Sequence, residues 1–175
     1  MSDYVLGVDM GTSSVKAVLF DWDGHQIAAA EHAHQTAHPD AGWAEQNAES
    51  WWEGFLAATR SARNAAGVAA EKIAGVGISC QAPTMLAVDR EMNPLRPAII
   101  WMDRRSDPQC EQLRERLGED YVAGITANRI DPFYVLPKLL WYRDQEPALF
   151  ARTEKLLQPN GWIAYRLTGA LSMDR

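Results

Sequence analysis

Apolar and polar positions along the first third of the chain change their period in a way that lays out the early elements. Tyr4-Val5-Leu6-Gly7-Val8-Asp9 is a short, β-rich run that stops at Met10-Gly11-Thr12, where the backbone must turn. Val15 to Asp21 predicts a second strand, and Asp21-Trp22-Asp23-Gly24 has the Asp and Gly chemistry of a tight turn. Gln26 to Ala33 then runs back as a third strand, which gives an antiparallel meander. After the loop His38-Pro39-Asp40-Ala41-Gly42 the period lengthens. Asn47 as N-cap, Glu49 in the first turn, and Trp51, Trp52, Phe55, Leu56 and Thr59 at helical spacing predict a helix that ends near Gly67. The two tryptophans are expected to pack in the core rather than to form a ligand platform.

Further along, Ile73 to Ser79 reads as a fourth strand and Thr84 to Asp89 as a fifth, followed by a turn through Asn93-Pro94 toward Pro97-Ala98-Ile99-Ile100-Trp101. Asp107-Pro108 opens a charged amphipathic helix closed by Gly118, with Leu113 and Leu117 expected on its inner face. Two later stretches, from Pro137 to Tyr142 and from Gly161 to Leu167, are helical, the last stopped by Gly169. With no internal repeat or linker, one α/β domain is expected.

Composition narrows the class of function. The 175 residues are 47% hydrophobic and 23% charged, enough for one compact core. A net charge of -6 with no Lys/Arg run excludes a nucleic-acid binder that works by displacing counterions. The apolar runs are too short for a membrane span or a signal peptide, so no membrane partner and a cytoplasmic location are expected. Cys80 and Cys110 fit neither a disulfide framework nor a zinc ribbon, and Cys80 is expected to be a buried small residue. His25, His32, His34 and His38 crowd one segment, but no Cys or carboxylate joins them at ligand spacing, and a solvated strand edge accounts for them.

The segment Asp9-Met10-Gly11-Thr12-Ser13-Ser14-Val15-Lys16 joins two strands, unlike a Walker loop, whose GxxxxGK[ST] string is absent. The dinucleotide fingerprint fails as well, because Cys80 occupies the third glycine position after Gly75 and Gly77. What remains is a turn that presents backbone N–H groups and hydroxyls beside a carboxylate. Gly11 allows close approach of a ligand, while Thr12 and Ser13 supply donors suited to phosphate. Asp9 suits a hydrated Mg²⁺, and Lys16 can balance phosphate charge.

In this setting the chain resembles the FGGY carbohydrate kinases, within the actin-like ATPase superfamily with its ribonuclease H-like core. The resemblance runs from Tyr4 to Arg175. Asp9-Met10-Gly11-Thr12 with Lys16 matches the D-x-G-T-x-x-x-K phosphate motif, and Trp43-Ala44-Glu45-Gln46 followed by Trp51-Trp52 matches the W-x-E-Q segment and the helix after it. Ile78-Ser79-Cys80-Gln81 matches a strand that ends in a substrate-contacting Gln, and Trp101-Met102-Asp103-Arg104-Arg105 matches the W-x-D-x-R block. Lys138-Leu139-Leu140-Trp141 and Tyr165 to Gly169 match later segments in order.

The resemblance implies ATP and Mg²⁺ as cofactors and a small sugar or polyol as substrate, and leaves a homodimer open. By position, Asp9, Gly11, Thr12, Ser13 and Lys16 approach the ATP phosphates, with Asp9 as the metal anchor. Gln81, Ala82 and Pro83 line the sugar pocket, and Trp101, Asp103 and Arg105 brace it. Xylulokinase-like members continue the Gln with Met-His-Gly and glycerol kinases with Arg-Glu. Here Ala82-Pro83-Thr84 follows, so neither substrate transfers directly, although the later segments lie nearer the xylulokinase side. Gly161 also departs from the acid that many members carry there.

The implied mechanism is direct γ-phosphoryl transfer, with a carboxylate taking the hydroxyl proton. That base is expected beyond Arg175; within the chain Asp103, Asp131 and Asp174 qualify on chemistry alone. The expectation is an incomplete amino-terminal FGGY domain spanning 1–175, without the carboxy-terminal nucleotide domain and inactive by itself. Two rival readings stay open: another type of actin-like ATPase, and a non-catalytic sugar- or nucleotide-binding module.

Overall fold

The computed structural model describes residues 4–172. Three antiparallel strands open the chain: β1 (Tyr4–Met10), β2 (Ser14–Asp21) and β3 (Gln26–Ala33). Helix α1 (Ala48–Ala65) leads back to β5 (Ile73–Cys80), which pairs in parallel with β1 and gives a sheet ordered β3-β2-β1-β5. The two-residue strand β4 (Glu45–Gln46) lies between β3 and α1. Later elements are β6 (Leu86–Val88), β7 (Ala98–Ile99), α2 (Asp107–Leu117), α3 (Glu119–Thr126), α4 (Val135–Gln145), α5 (Pro147–Phe150), β8 (Lys155–Leu157) and α6 (Pro159–Thr168).

Contacts divide the chain into two compact units. The first takes the segment up to Thr36, Asn47–Gln81, and the segment from Pro159 onward. Strand alternation builds its core: Leu6, Val8 and Met10 of β1 and Val15, Ala17 and Leu19 of β2 are buried on one face. Helix α1 packs on β2 and β3. Asn47 caps it, its side-chain oxygen accepting from the Glu49 N–H at 3.0 Å. Trp51, Phe55, Ala58 and Ala62 form the buried stripe, with Gly54 among them. Trp51 is fully buried and meets Trp162 of α6 edge-on at 6.4 Å, which makes it a packing residue.

The second unit comprises Ala37–Gln46 and Ala82–Gln158. There β4 pairs with β7 and β6 with β8, both antiparallel. Met85, Ala87, Ile99, Trp141 and Tyr142 form its core, with Trp43, Leu139 and Phe150 packed against them.

Several sequence expectations shift. The fifth strand is confined to Leu86–Val88, because Thr84 and Met85 are buried ahead of it with only an isolated bridge from Met85 to Ile99. Leu117 is 45% exposed rather than inward. The buried side of α2 is carried by Gln109 and Cys110 near its start, and Gly118, at φ 82°, turns the chain into α3 just past Leu117. Cys80 is half-buried, since among the described strands β5 has a neighbour only on its β1 side. No described helix is long and apolar enough to cross a membrane.

Candidate active site

In the first unit the β1–β2 register sets Asp9 opposite Lys16, and both side chains are exposed on the sheet face away from the buried core positions. Parallel pairing with β5 brings Ser79 alongside Asp9, and its Oγ donates to Asp9 Oδ1 at 2.7 Å. Between the strands, a Cβ at Gly11 would lie 3.1 Å from the Ser14 carbonyl oxygen and 3.7 Å from Asp9 Oδ2, so the turn is built to the dimensions of glycine. His34, just past β3, holds the turn from below: its N–H donates to the Ser13 carbonyl at 2.9 Å, and its Nε2 lies 3.1 Å from the Thr12 carbonyl. The Gln81 N–H donates to the Met10 carbonyl at 2.9 Å. One structural unit therefore brings together Asp9, Gly11, Thr12, Ser13, Lys16 and Gln81.

Asp9 fits a hydrated divalent cation. It is an exposed hard-oxygen ligand at a strand end, with one oxygen oriented by a serine hydroxyl. Ser79 carries no role in the sequence reading, and His34, expected on a solvated strand edge, is instead half-buried with its ring against the Thr12 carbonyl. Ser79 becomes visible only once β5 is paired in parallel with β1 in this register, and His34 only once the end of β3 is placed beneath the turn. Contrary to the sequence expectation, carboxylates do join one of the four histidines: among the described residues Asp21, Asp23 and His25 bring potential ligand atoms together at the β2–β3 turn, because the turn folds His25 back onto Asp21, while His32 and His34 stay outside the group.

In the second unit Trp101, Asp103 and Arg105 follow β7. Asp103 is fully buried, and its carboxylate accepts from the Ala44 N–H at 2.6 Å, the Arg105 N–H at 3.0 Å, and the Arg105 Nε and terminal nitrogen at 2.8–3.0 Å. The Arg105 guanidinium also pairs with Glu45 at 2.7 Å and lies 3.7 Å over the Trp43 ring. Glu45 in turn binds Arg96, which reaches Glu146 at 3.1 Å. The W-x-E-Q and W-x-D-x-R segments thus form one buried charge network, in which the Arg105 fork holds Asp103 and Glu45 takes one nitrogen from each of Arg96 and Arg105. Trp101 is half-buried, with its ring edge-on to Phe133 at 6.2 Å. Ala82 is exposed and is joined to Pro83 by a cis peptide bond.

Neither described candidate for the proton-accepting carboxylate is set up for that task. Asp103 spends both oxygens on the network. Asp131 is partly raised by burial, but the Phe133 N–H at 2.8 Å and Arg104 at 2.7 Å outweigh this and hold its carboxyl below the ordinary value, which weakens it as a base. Asp174 lies outside the described residues.

Comparison with known proteins agrees with this arrangement. Residues 4–175 match the N-terminal domain of the FGGY family of carbohydrate kinases. The xylulose kinase of Bacillus subtilis is 35% identical over 171 residues, which is 98% of this chain and 34% of the relative. The glycerol kinase of Thermus brockianus is 36% identical over 95% of this chain and 34% of its own length. The crystal structure of xylulose kinase from Rhodospirillum rubrum superposes with a TM-score of 0.92 at 26% identity, covering 98% of this chain and 35% of that one. The chain therefore spans about a third of the length of the relatives it matches. The α/β fold of the ribonuclease H-like, actin-like ATPase type is the one expected from the sequence. By its fold, its ordered motifs and this match across every described residue, the chain belongs to the FGGY family of carbohydrate kinases and carries that family's N-terminal domain.

Proposed function

We propose that the gene product containing this chain transfers the γ-phosphoryl group of ATP to a hydroxyl of a small sugar or polyol, with residues 1–175 forming part of its sugar-side domain. The observation that carries this reading is the Asp9–Ser79 and Lys16 arrangement around a glycine-tight turn, in a chain of the FGGY family. Bound Mg²⁺ neutralises phosphate charge, as phosphoryl transfer requires. Asp9 would hold that cation, and the amides and hydroxyls of Gly11–Ser13 would orient the phosphate oxygens. Lys16 balances their charge. Gln81, Ala82, Pro83 and Trp101 contact the sugar, while Asp103 and Arg105 keep the Trp101 segment in place from below. Named relatives act on xylulose and on glycerol, so pentuloses and short polyols are the substrate classes to test first. A cytoplasmic enzyme, alone or as a homodimer, fits this reading.

The test is ATP consumption by the complete gene product with Mg²⁺ and a panel of pentuloses, polyols and hexoses. One acceptor is expected to stand out, and Asp9→Asn is expected to lower kcat by at least 100-fold with little effect on sugar KM, because it removes charge at the metal. Turnover on no acceptor, or an Asp9→Asn variant with full activity, refutes the reading.

A further inference from the structure

Lys138, in the second turn of α4, is wholly buried. Taking an ammonium out of water is costly unless its protons are well used, and a Leu or Met would satisfy the surrounding core. The Nζ of Lys138 donates to two backbone carbonyls, those of Pro132 and, at 2.7 Å, Phe133. Asp103 and Asp131 favour its charge, Arg104 opposes it, and Cys110 is the remaining titratable neighbour; burial dominates them all and lowers its pKa to about 8.

Both carbonyls belong to one short segment, which is also pinned from its other side. The Asp131 carboxylate accepts from the Phe133 N–H and from Arg104, and the Tyr134 N–H donates to the Asp131 carbonyl at 3.1 Å. The side chain presented by this clamped backbone is Phe133, whose ring packs edge-on against Trp101.

We infer that Lys138 is a positioning residue whose ammonium fixes the Pro132–Phe133 backbone and so sets the Phe133 ring against Trp101, forming an aromatic wall for the sugar. The wall's contact with sugar rests on the proposed function; the positioning of the ring does not. Such a lysine acts at a distance from the reacting atoms, and its loss loosens the wall while the Asp103–Arg105 network stays intact.

The test is an NMR comparison of this chain and its variants, with labelled Trp and Phe. The wild-type chain is expected to show a Trp101–Phe133 ring cross-peak. Lys138→Met is expected to lose it while the Trp43 ring shifts caused by Arg105 remain, and Lys138→Gln, which keeps one donor arm, is expected to be intermediate. In the complete gene product Lys138→Met is expected to raise sugar KM about tenfold with kcat and ATP KM within twofold, the split that marks lost ground-state positioning. A variant that melts earlier but keeps the cross-peak and the sugar KM overturns the inference. Should Lys138→Met not fold, the wild-type chain is titrated from pH 7 to 9.5. The Phe133 and Trp101 ring signals are expected to move together with the Lys138 Nζ, and rings that stay still overturn the inference. A gene product that phosphorylates no sugar defeats the proposed function, while the ring contact still decides the role of Lys138.

Discussion

His34 shows how a single side chain ties the candidate phosphate turn to the rest of the sheet. Nε2 faces a carbonyl oxygen, so the neutral tautomer that fits carries its proton there and donates to Thr12. Nδ1 is buried and has no hydrogen-bond partner among the described residues. Protonation would place a second N–H at that partnerless position. Burial is the main cause that holds the imidazole below its ordinary value, with His32 adding repulsion, while the Thr12 and Gly11 backbone contacts push the other way. The unfolded chain therefore binds more protons than the folded one as pH falls through about 6.5, and stability is lost on the acid side and kept above it. Urea unfolding of the wild-type chain at pH 7.5 and 5.5 is expected to show a loss that is smaller in His34→Gln. Equal losses in the two proteins would show that carboxylates elsewhere set the acid dependence.

Among the elements, those the sequence makes legible are the ones whose pattern is local. The alternation in β1 and β2 and the capped stripe of α1 can be read because each of these elements buries one face of its own, whereas β3 is legible from its place after the Asp-Gly turn, with only Ala28 and Ala30 half-buried. Helix α3 is not legible because it is only eight residues long: Tyr121, Val122 and Ile125 are spaced helically but span barely one turn, and none of its residues is buried. The strands β4 and β8 exist only through partners far along the chain, β7 and β6. The site divides in the same way. The Asp9 to Lys16 turn is visible as a string, whereas the bond from Ser79 depends on a parallel register that no local pattern states. The intimate fit between α1 and β2 is likewise non-local. A Cβ at Gly54 would lie 2.9 Å from Cγ2 of Val15, a stiff, fully buried side chain. Gly54→Val is thus expected to cost about 1–3 kcal/mol through overpacking, despite replacing a helix glycine. Denaturant melts should show a lower midpoint with an unchanged slope, and a stabilised variant would mean that the helix can move off the sheet freely.

At the scale of the whole molecule, the first unit is assembled from three separate stretches of sequence, the last of which supplies α6. That helix has little intrinsic reason to form by itself, since ten residues are marginal in water. Its stability comes from Trp162 and Ile163, which are almost fully buried, and from the edge-on contact of Trp162 with Trp51 on α1. Arg166 adds an ion pair to Glu49 at 2.7 Å and lies 4.5 Å over the Trp52 ring, a polar lid on the same helix pair. If this contact joins the distant stretches into one cooperative unit, Trp162→Ala should cost about 3–5 kcal/mol, as expected for emptying a buried aromatic site. The loss should appear in the whole sheet, with far-UV circular dichroism and Trp fluorescence melting together. A cost below about 1 kcal/mol, or a melt in which helix signal is lost ahead of the strands, would instead make α6 an appendage of α1. The same result bears on the phosphate turn, because α1 also packs on β2, the strand that begins just after the turn and carries Lys16. An α1 loosened by the loss of Trp162 is therefore expected to raise amide exchange in β2 before it affects the strands of the second unit.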